Sequence, residues 1–271
     1  MPDPYTDPDR QPESAIEAMA TRLEERGRNG QFVRMIQDYA DKLEKHRPLA
    51  VLDLGCGTGV VIRQLEQLLD PSSRLHGADI SVELLKEAAR LSPSDRIKWD
   101  HLSPGRLPYA DASFDAITMH TLLSHVPEPV SILSEARRVL KNDGRLIVFD
   151  ADHAGTTYSQ PAYETTRRID HLLTSAIATH PDICRQLPRY LKDAGFTLTG
   201  HNADVISEAG KGDYWLSSVN GFARLMPTIK ALSDAEAKCW VDYMQSSHEN
   251  GTFFAAGSFY TFYATPDREA S

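Results

Sequence analysis

The sequence predicts an α/β fold built on a doubly wound sheet. Two observations carry this. From Leu49 onward, short apolar runs alternate with amphipathic helical stretches, which is the pattern of βαβ units on a parallel sheet. A turn holding three glycines joins the first of these runs to the helix behind it.

The elements follow in order. After a flexible, acidic, proline-rich leader over 1–12, "ESAIEAMATRLEERG" places Ile16, Met19, Ala20 and Leu23 on one helical face, with Gly27 as a natural stop. "QFVRMIQDYADKLEKH" repeats that pattern through Phe32, Met35, Ile36, Tyr39 and Leu43. These are cover helices over 13–46. "LAVLDL" is the first strand, "VVIRQLEQLL" a helix, "RLHGADI" a strand and "VELLKEAARL" a helix. "IKWDHL" and "FDAITMH" give two more strands, "PVSILSEARRVL" a helix, "NDG" a turn and "RLIVFD" a fifth strand. The core therefore spans 49–150. Beyond Asp150 the rhythm breaks. "YETTRRIDHLLTSAIATH" and "LPRYLKDAGF" read as helices, the second ending at Gly195, and "TLTGHNADV" as a strand. A helical segment from Asp213 to Ser247 precedes "TFFAAGSFYTFYAT", whose aromatics and threonines predict a final strand. One domain over 13–271 is expected, with cap elements at 151–190 and 208–250.

Composition limits the function. The 271 residues are 41% hydrophobic and 25% charged, enough for one substantial core. A net charge of −9 opposes a phosphate backbone, so a nucleic-acid partner is not expected; the short basic runs "TRRID" and "RQLPRY" read as solvated helix faces. Cys56, Cys184 and Cys239 are odd in number and far apart, which predicts no metal centre, no disulfide framework and a reducing, cytoplasmic setting. The start carries no signal-peptide pattern, and no run approaches the roughly 18 apolar residues of a membrane span.

The glycine turn "DLGCGTG" brings backbone close to a ligand at a helix N-terminus. A dinucleotide site would show G-x-G-x-x-G, but Val60 stands where the third glycine belongs. Asp53, two residues before Gly55, would also repel a pyrophosphate. A ligand with an ammonium and a sulfonium, and no phosphate, suits that carboxylate better.

"VLDLGCGTG" resembles the first motif of class I S-adenosylmethionine-dependent methyltransferases. "LHGADIS", "LPYADASFDAITM" and "LLSHVPEPVSILSEARRVLKNDGRLIVFD" resemble later landmarks of that family in the right order, from about Leu49 to Asp150, in the small-molecule branch that includes the quinone-biosynthesis C-methyltransferases. The resemblance implies a Rossmann-like, seven-stranded sheet with its last strand antiparallel, with the N-terminal helices and a helical cap insertion added. It implies S-adenosylmethionine as cofactor and S-adenosylhomocysteine as product. By position, Asp53, Gly55 and Gly57 would hold the methionine end beside Gly59, and Cys56 would contribute backbone only. Asp79 would take the ribose hydroxyls, Ile80 would pack on the adenine, and Leu102 and Ser103 would flank it. Ser103 departs from the family, which commonly has Asp there.

A transferred methyl group is already activated by its sulfonium, so a base is optional; a hydroxyl or ammonium acceptor must still lose a proton. His120, His125 and His153 lie at the carboxyl edge of the expected sheet. His120 is read as lining the cofactor pocket or taking a proton, His153 as contacting the acceptor or facing solvent, and His125 as anchoring a turn. Tyr214, Trp215, Phe222 and Trp240 read either as core or as the wall of an apolar acceptor cavity. The expected partner is a small organic acceptor methylated on oxygen, nitrogen or carbon, with the chain acting as a monomer or homodimer. A non-methylating enzyme of the same fold, such as a cyclase or decarboxylase, an RNA methyltransferase, a dehydrogenase and a plain binding module are the competing readings.

Overall fold

A computed structural model describes residues 3–43, 47–92, 94–229 and 232–267. Residues 44–46 of the expected cover helices and 230–231 of the expected cap lie outside these.

Seven strands form one sheet: β1 (Ala50–Leu54), β2 (Arg74–Asp79), β3 (Ile97–His101), β4 (Phe114–His120), β5 (Leu140–Tyr158), β6 (Phe196–Gly210) and β7 (Phe253–Pro266). Their order is β3-β2-β1-β4-β5-β7-β6, and β7 runs antiparallel to both its neighbours. The described helices are α1 (Glu13–Arg28), α2 (Gly30–Ala40), α3 (Val60–Leu68), α4 (Val82–Leu91), α5 (Pro129–Val139), α6 (Tyr163–Ile177), α7 (Ile183–Asp193), α8 (Tyr214–Ile229) and α9 (Asp234–Asn250).

Because side chains alternate across a strand, β1 feeds two cores. Val51 joins Ile36, Tyr39 and Ile62 on one face of the sheet, while Leu52 and Leu54 join Leu133 and Leu187 on the other. The cap aromatics belong to the first of these cores. Trp215, Phe222 and Trp240 surround the Tyr158 ring at centroid distances of 5.8, 6.1 and 5.5 Å and are buried. Their expected alternative role as a cavity wall gives way to packing.

Three local expectations change. Gly27 does not end α1; the helix runs on to Arg28, and Asn29 stops it and caps α2 by accepting from the Gln31 N–H at 2.9 Å. Gly27 is needed for another reason: a Cβ there would lie 2.3 Å from Val60 Cγ1 of α3. The "NDG" turn is absorbed into β5, whose register against β4 jumps between Phe114↔Leu140 and Ala116↔Arg145. Finally, β5 does not stop at Asp150. It pairs with β7 as far as Asp152↔Ser258, bulges through 153–156, and resumes at Thr157↔Ala256. The expected cap range 151–190 thus opens on strand.

Residues 3–11, expected as a flexible leader, fold as two short turns, Pro4–Thr6 and Pro8–Arg10, along the carboxyl edge of the sheet. No described helix is long and apolar enough to cross a membrane.

Candidate functional site

Gly55, Gly57 and Gly59 all adopt positive φ, at 74°, 53° and 75°. The chain leaves β1 through this turn and enters α3 with Gly59 as its N-cap. A Cβ on Gly55 would meet Leu122 Cδ1 at 2.5 Å, and one on Gly59 would meet the Trp99 ring at 2.3 Å. Only glycine therefore allows both the left-handed backbone and the close neighbours. Cys56 is buried within the turn, and burial pushes its thiol well up, so it is a small structural residue and not a nucleophile.

Asp53 sits at the floor of this turn, 1% exposed. Its Oδ1 accepts from the Thr118 hydroxyl of β4 at 2.7 Å, and its Oδ2 is buried without a partner. Burial pushes its carboxyl up to about 7, against the Thr118 hydrogen bond and with the Asp79 charge adding to the rise. A buried oxygen with no donor is costly, and a ligand ammonium would satisfy it.

Asp79 ends β2 and is also buried. It accepts from Gly57 N–H at 2.7 Å and from Ser81 N–H at 2.9 Å, which ties the glycine turn to the start of α4. Ile80 and Val82, beside it, are 41% and 38% exposed. Exposed apolar side chains next to a buried carboxylate fit an adenosine, its ribose on the acid and its base on the aliphatic surface. Leu102 is buried and its N–H donates to Asp79 O at 2.8 Å, whereas Ser103 is exposed in the loop that follows. The expected adenosyl-site residues Asp53, Gly55, Cys56, Gly57, Gly59, Asp79, Ile80, Leu102 and Ser103 thus come together along the carboxyl ends of β1, β2 and β3.

The three histidines occupy different surroundings. His120 ends β4, stacks on Phe149 with ring centroids 4.2 Å apart, and lies 3.3 Å from the Tyr39 hydroxyl through Nδ1. Burial, then the Arg26 charge, holds its pKa well below the usual range, so the ring is neutral. His153 sits in the β5 bulge, its Nε2 buried without a partner. Burial, His125 and Arg26 push its pKa down to about 3. His125 sits in a turn after β4, donating its N–H to Leu122 O at 3.0 Å, and its Nδ1 is 2.7 Å from Asp3 Oδ2. Its ring lies 6.2 Å from that of His153 and 4.8 Å from that of Tyr5.

Sequence reasoning missed the groups that close over this edge. Asp3 also accepts from Thr179 N–H at 3.0 Å. Asp9 accepts from the Ser81 hydroxyl and from Val82 N–H at 2.8 Å, directly beside Ile80. Arg22 and Arg26 reach in from α1, where the four-residue spacing put them on one face, and Arg26 Nη2 donates to Thr121 Oγ1 at 2.9 Å. That spacing was the only available signal; which way the face points depends on where α1 docks.

A sheet of this order, with a glycine turn after β1 and acids ending β1 and β2, defines the fold class of Rossmann-like methyltransferases. Residues 52–148 match a family model described as a methyltransferase domain. The chain is 31% identical over 229 residues to an uncharacterized 37.1 kDa transposon protein of Streptomyces fradiae, covering 83% of this chain and 64% of that one. It is 29% identical to the ubiquinone/menaquinone biosynthesis C-methyltransferase UbiE of Desulfotalea psychrophila, over 60% of this chain and 63% of that one. The chain therefore spans a little under two thirds of the length of these two relatives. Among solved structures, a Bacillus halodurans protein described as a methyltransferase superposes with a TM-score of 0.61 at 17% identity, covering 88% of this chain and all of the other, which shows the shared fold. The chain thus carries a match to a methyltransferase domain over residues 52–148 and is similar to the quinone-biosynthesis methyltransferases.

Proposed function

We propose that this chain transfers a methyl group from S-adenosylmethionine to a small organic acceptor. The observation that carries this is the unpartnered Asp53 Oδ2, buried under a glycine turn whose other rim is the Asp79–Ile80 pair. Asp53 would accept the methionine ammonium, Asp79 the ribose hydroxyls, and Ile80 and Leu102 would pack against the adenine. The Ser103 hydroxyl would accept from the adenine amino group without the help of a charge. The cofactor, when bound, supplies an electrophilic methyl group on a sulfonium.

The protein's part is to bind, orient and keep water out. His120, neutral and stacked on Phe149, would line the methionine end. His153 is assigned the proton that a hydroxyl or ammonium acceptor loses, because its Nε2 is the one histidine nitrogen buried without a partner among the described residues. The net charge of −9 favours a small molecule over a nucleic acid. The three free cysteines fit a reducing cytoplasm. A monomer or homodimer would suffice, since each group named here comes from one chain.

The test is isothermal titration with S-adenosylmethionine, S-adenosylhomocysteine and NAD on the wild type and Asp79→Ala, followed by transfer of labelled methyl to low-molecular-weight extract. Binding of the two adenosyl ligands, lost in the variant, with label moving to a metabolite, is the expected result. Turnover without S-adenosylhomocysteine would indicate a non-methylating enzyme, and binding of NAD alone would overturn the reading.

A further inference from the structure

The two edges of the sheet are unlike. β3 is five residues long and carries Lys98, which pairs with Asp100 at 2.8 Å. Short length and a lysine are ordinary means of keeping an edge from pairing with another chain. β6, the other edge, has neither. It runs for 15 residues, holds no lysine, arginine or proline, and pairs only with β7 among the described residues. Its irregularity lies at Leu198/Gly200, after which the register is unbroken from Gly200↔Tyr263 to Gly210↔Phe253. Trp215 donates its indole N–H to Ile206 O at 3.0 Å, a carbonyl that keeps a second lone pair.

One side of this segment is also bare. Side chains alternate across a strand, so Asn202, Asp204 and Glu208 share the side of buried Ile206. Glu208 is taken up there by the start of α8, accepting from Asp213 N–H at 2.9 Å and Tyr214 N–H at 2.8 Å. Ala203, Val205, Ser207 and Ala209 share the other side, uncharged and exposed, with Val205 at 63%. β7 adds Phe254, which faces Ala209 in register and is 41% exposed. A long edge with an exposed apolar centre is a template for a further strand.

Symmetry selects the strand that fits. Within one sheet, antiparallel strands of two identical chains are related by a two-fold axis normal to the sheet, so one residue faces its own copy and its neighbours pair off on either side. An axis at Val205 pairs the whole of 200–210 with itself, Gly200 against Gly210. Asp204 then faces Ile206 and Glu208 faces Asn202, so no acid directly opposes an acid. Axes at Asp204, Ile206 or Glu208 would each bring two carboxylates together.

We propose that β6 is a homodimer interface: a second copy of this chain adds its own β6 antiparallel, centred on Val205, and the two seven-stranded sheets become one. Main-chain hydrogen bonds supply the affinity, and the matched side chains set the register. The two Asp204 carboxylates stand diagonally across the seam, about 7–8 Å apart, and repel weakly. This pairing is independent of the cofactor reading.

The experiment is sedimentation equilibrium of the full chain, as wild type, Val205→Lys, Val205→Glu and Asp204→Asn, over about 1–100 µM. The wild type dimerises. Val205→Lys and Val205→Glu each weaken the dimer about tenfold or more, because like charges then face each other, and an equimolar mixture of the two regains it, which a misfolded variant could not do. Asp204→Asn tightens the dimer about twofold. Because Cys239 is exposed, cross-linking uses a Cys239→Ser background, in which a short bifunctional thiol reagent joins Val205→Cys to its own copy but not Ser207→Cys. A chain that stays monomeric throughout leaves the edge to a strand of another protein or to solvent, and overturns the proposal. So does a dimer that Val205→Lys leaves intact, since it lies on another face, and so does cross-linking at Ser207 in place of Val205, which sets another axis.

Discussion

Asp3 and His125, 122 positions apart, are joined by a 2.7 Å contact between a carboxylate oxygen and Nδ1, with only 2% and 14% of their side chains exposed. Six residues further on, Asp9 holds the start of α4 beside Ile80. The N-terminal segment is therefore fastened at both ends of the proposed adenosyl site, at His125 and at the start of α4.

Loosening those two fastenings should speed exchange of the bound ligand. Asp3→Asn with Asp9→Asn is expected to raise the dissociation rate of S-adenosylhomocysteine about tenfold or more, since each replacement removes charge from a hydrogen bond worth about 1.5–3 kcal/mol. Stopped-flow displacement reads this directly. Unchanged dissociation would show that the segment covers the edge without gating it.

Asp53 should make the unligated protein sensitive to pH. Its folded pKa, about 7, lies above the unfolded value near 3.9, so the native state binds more protons between the two. Stability is then greatest below about pH 4 as far as this group is concerned, and it is lost as pH rises through about 7. Melting temperatures measured from pH 5 to 8 should fall more steeply for wild type than for Asp53→Asn. Affinity for S-adenosylmethionine should move the other way, rising over the same window as the carboxylate ionises to meet the ammonium. Parallel melting curves for the two proteins would remove Asp53 from this role.

Gly27→Ala tests the packing of α1 on α3. Propensity alone favours alanine by about 1 kcal/mol inside a helix. The new Cβ would lie 2.3 Å from Val60 Cγ1, and overpacking of that kind costs about 1–3 kcal/mol. A net loss of stability in chemical denaturation is expected, and a gain would mean that Val60 moves aside freely.

His153→Gln should separate proton transfer from binding. A positioned base contributes about 10²–10⁴-fold when its pKa lies near the working pH; His153, held down at about 3, is a weaker base, so the variant is expected to lose less than about 10²-fold in methyl transfer to a hydroxyl or ammonium acceptor while keeping its affinity for S-adenosylhomocysteine. Because the pKa of His153 is about 3, the wild-type ring stays neutral from pH 5 to 9, and its own ionisation should leave no inflection in the rate over that range. Equal rates in the two proteins would leave His153 as a lining residue.

Much of this molecule was legible in its sequence. The period change at Leu49 placed β1 and α3, the glycine spacing marked the left-handed turn between them, and Asp79 marked the end of β2, because each depends on contacts within a few residues. Family resemblance added the antiparallel last strand, which the sheet shows. Tertiary structure alone decided the rest. The bulge that turns His153 inward arises from a mismatch of register between β5 and β7, about a hundred residues apart in the chain. Gly27 serves packing against Val60, not helix termination, and the leader is fixed by partners near positions 81, 125 and 179. The inward face of Arg22 and Arg26 exists only once α1 has docked. A local pattern fixes an element and its periodicity; which neighbour meets each face, and which charge is left without a partner, is set by the packing of distant segments and their shared desolvation.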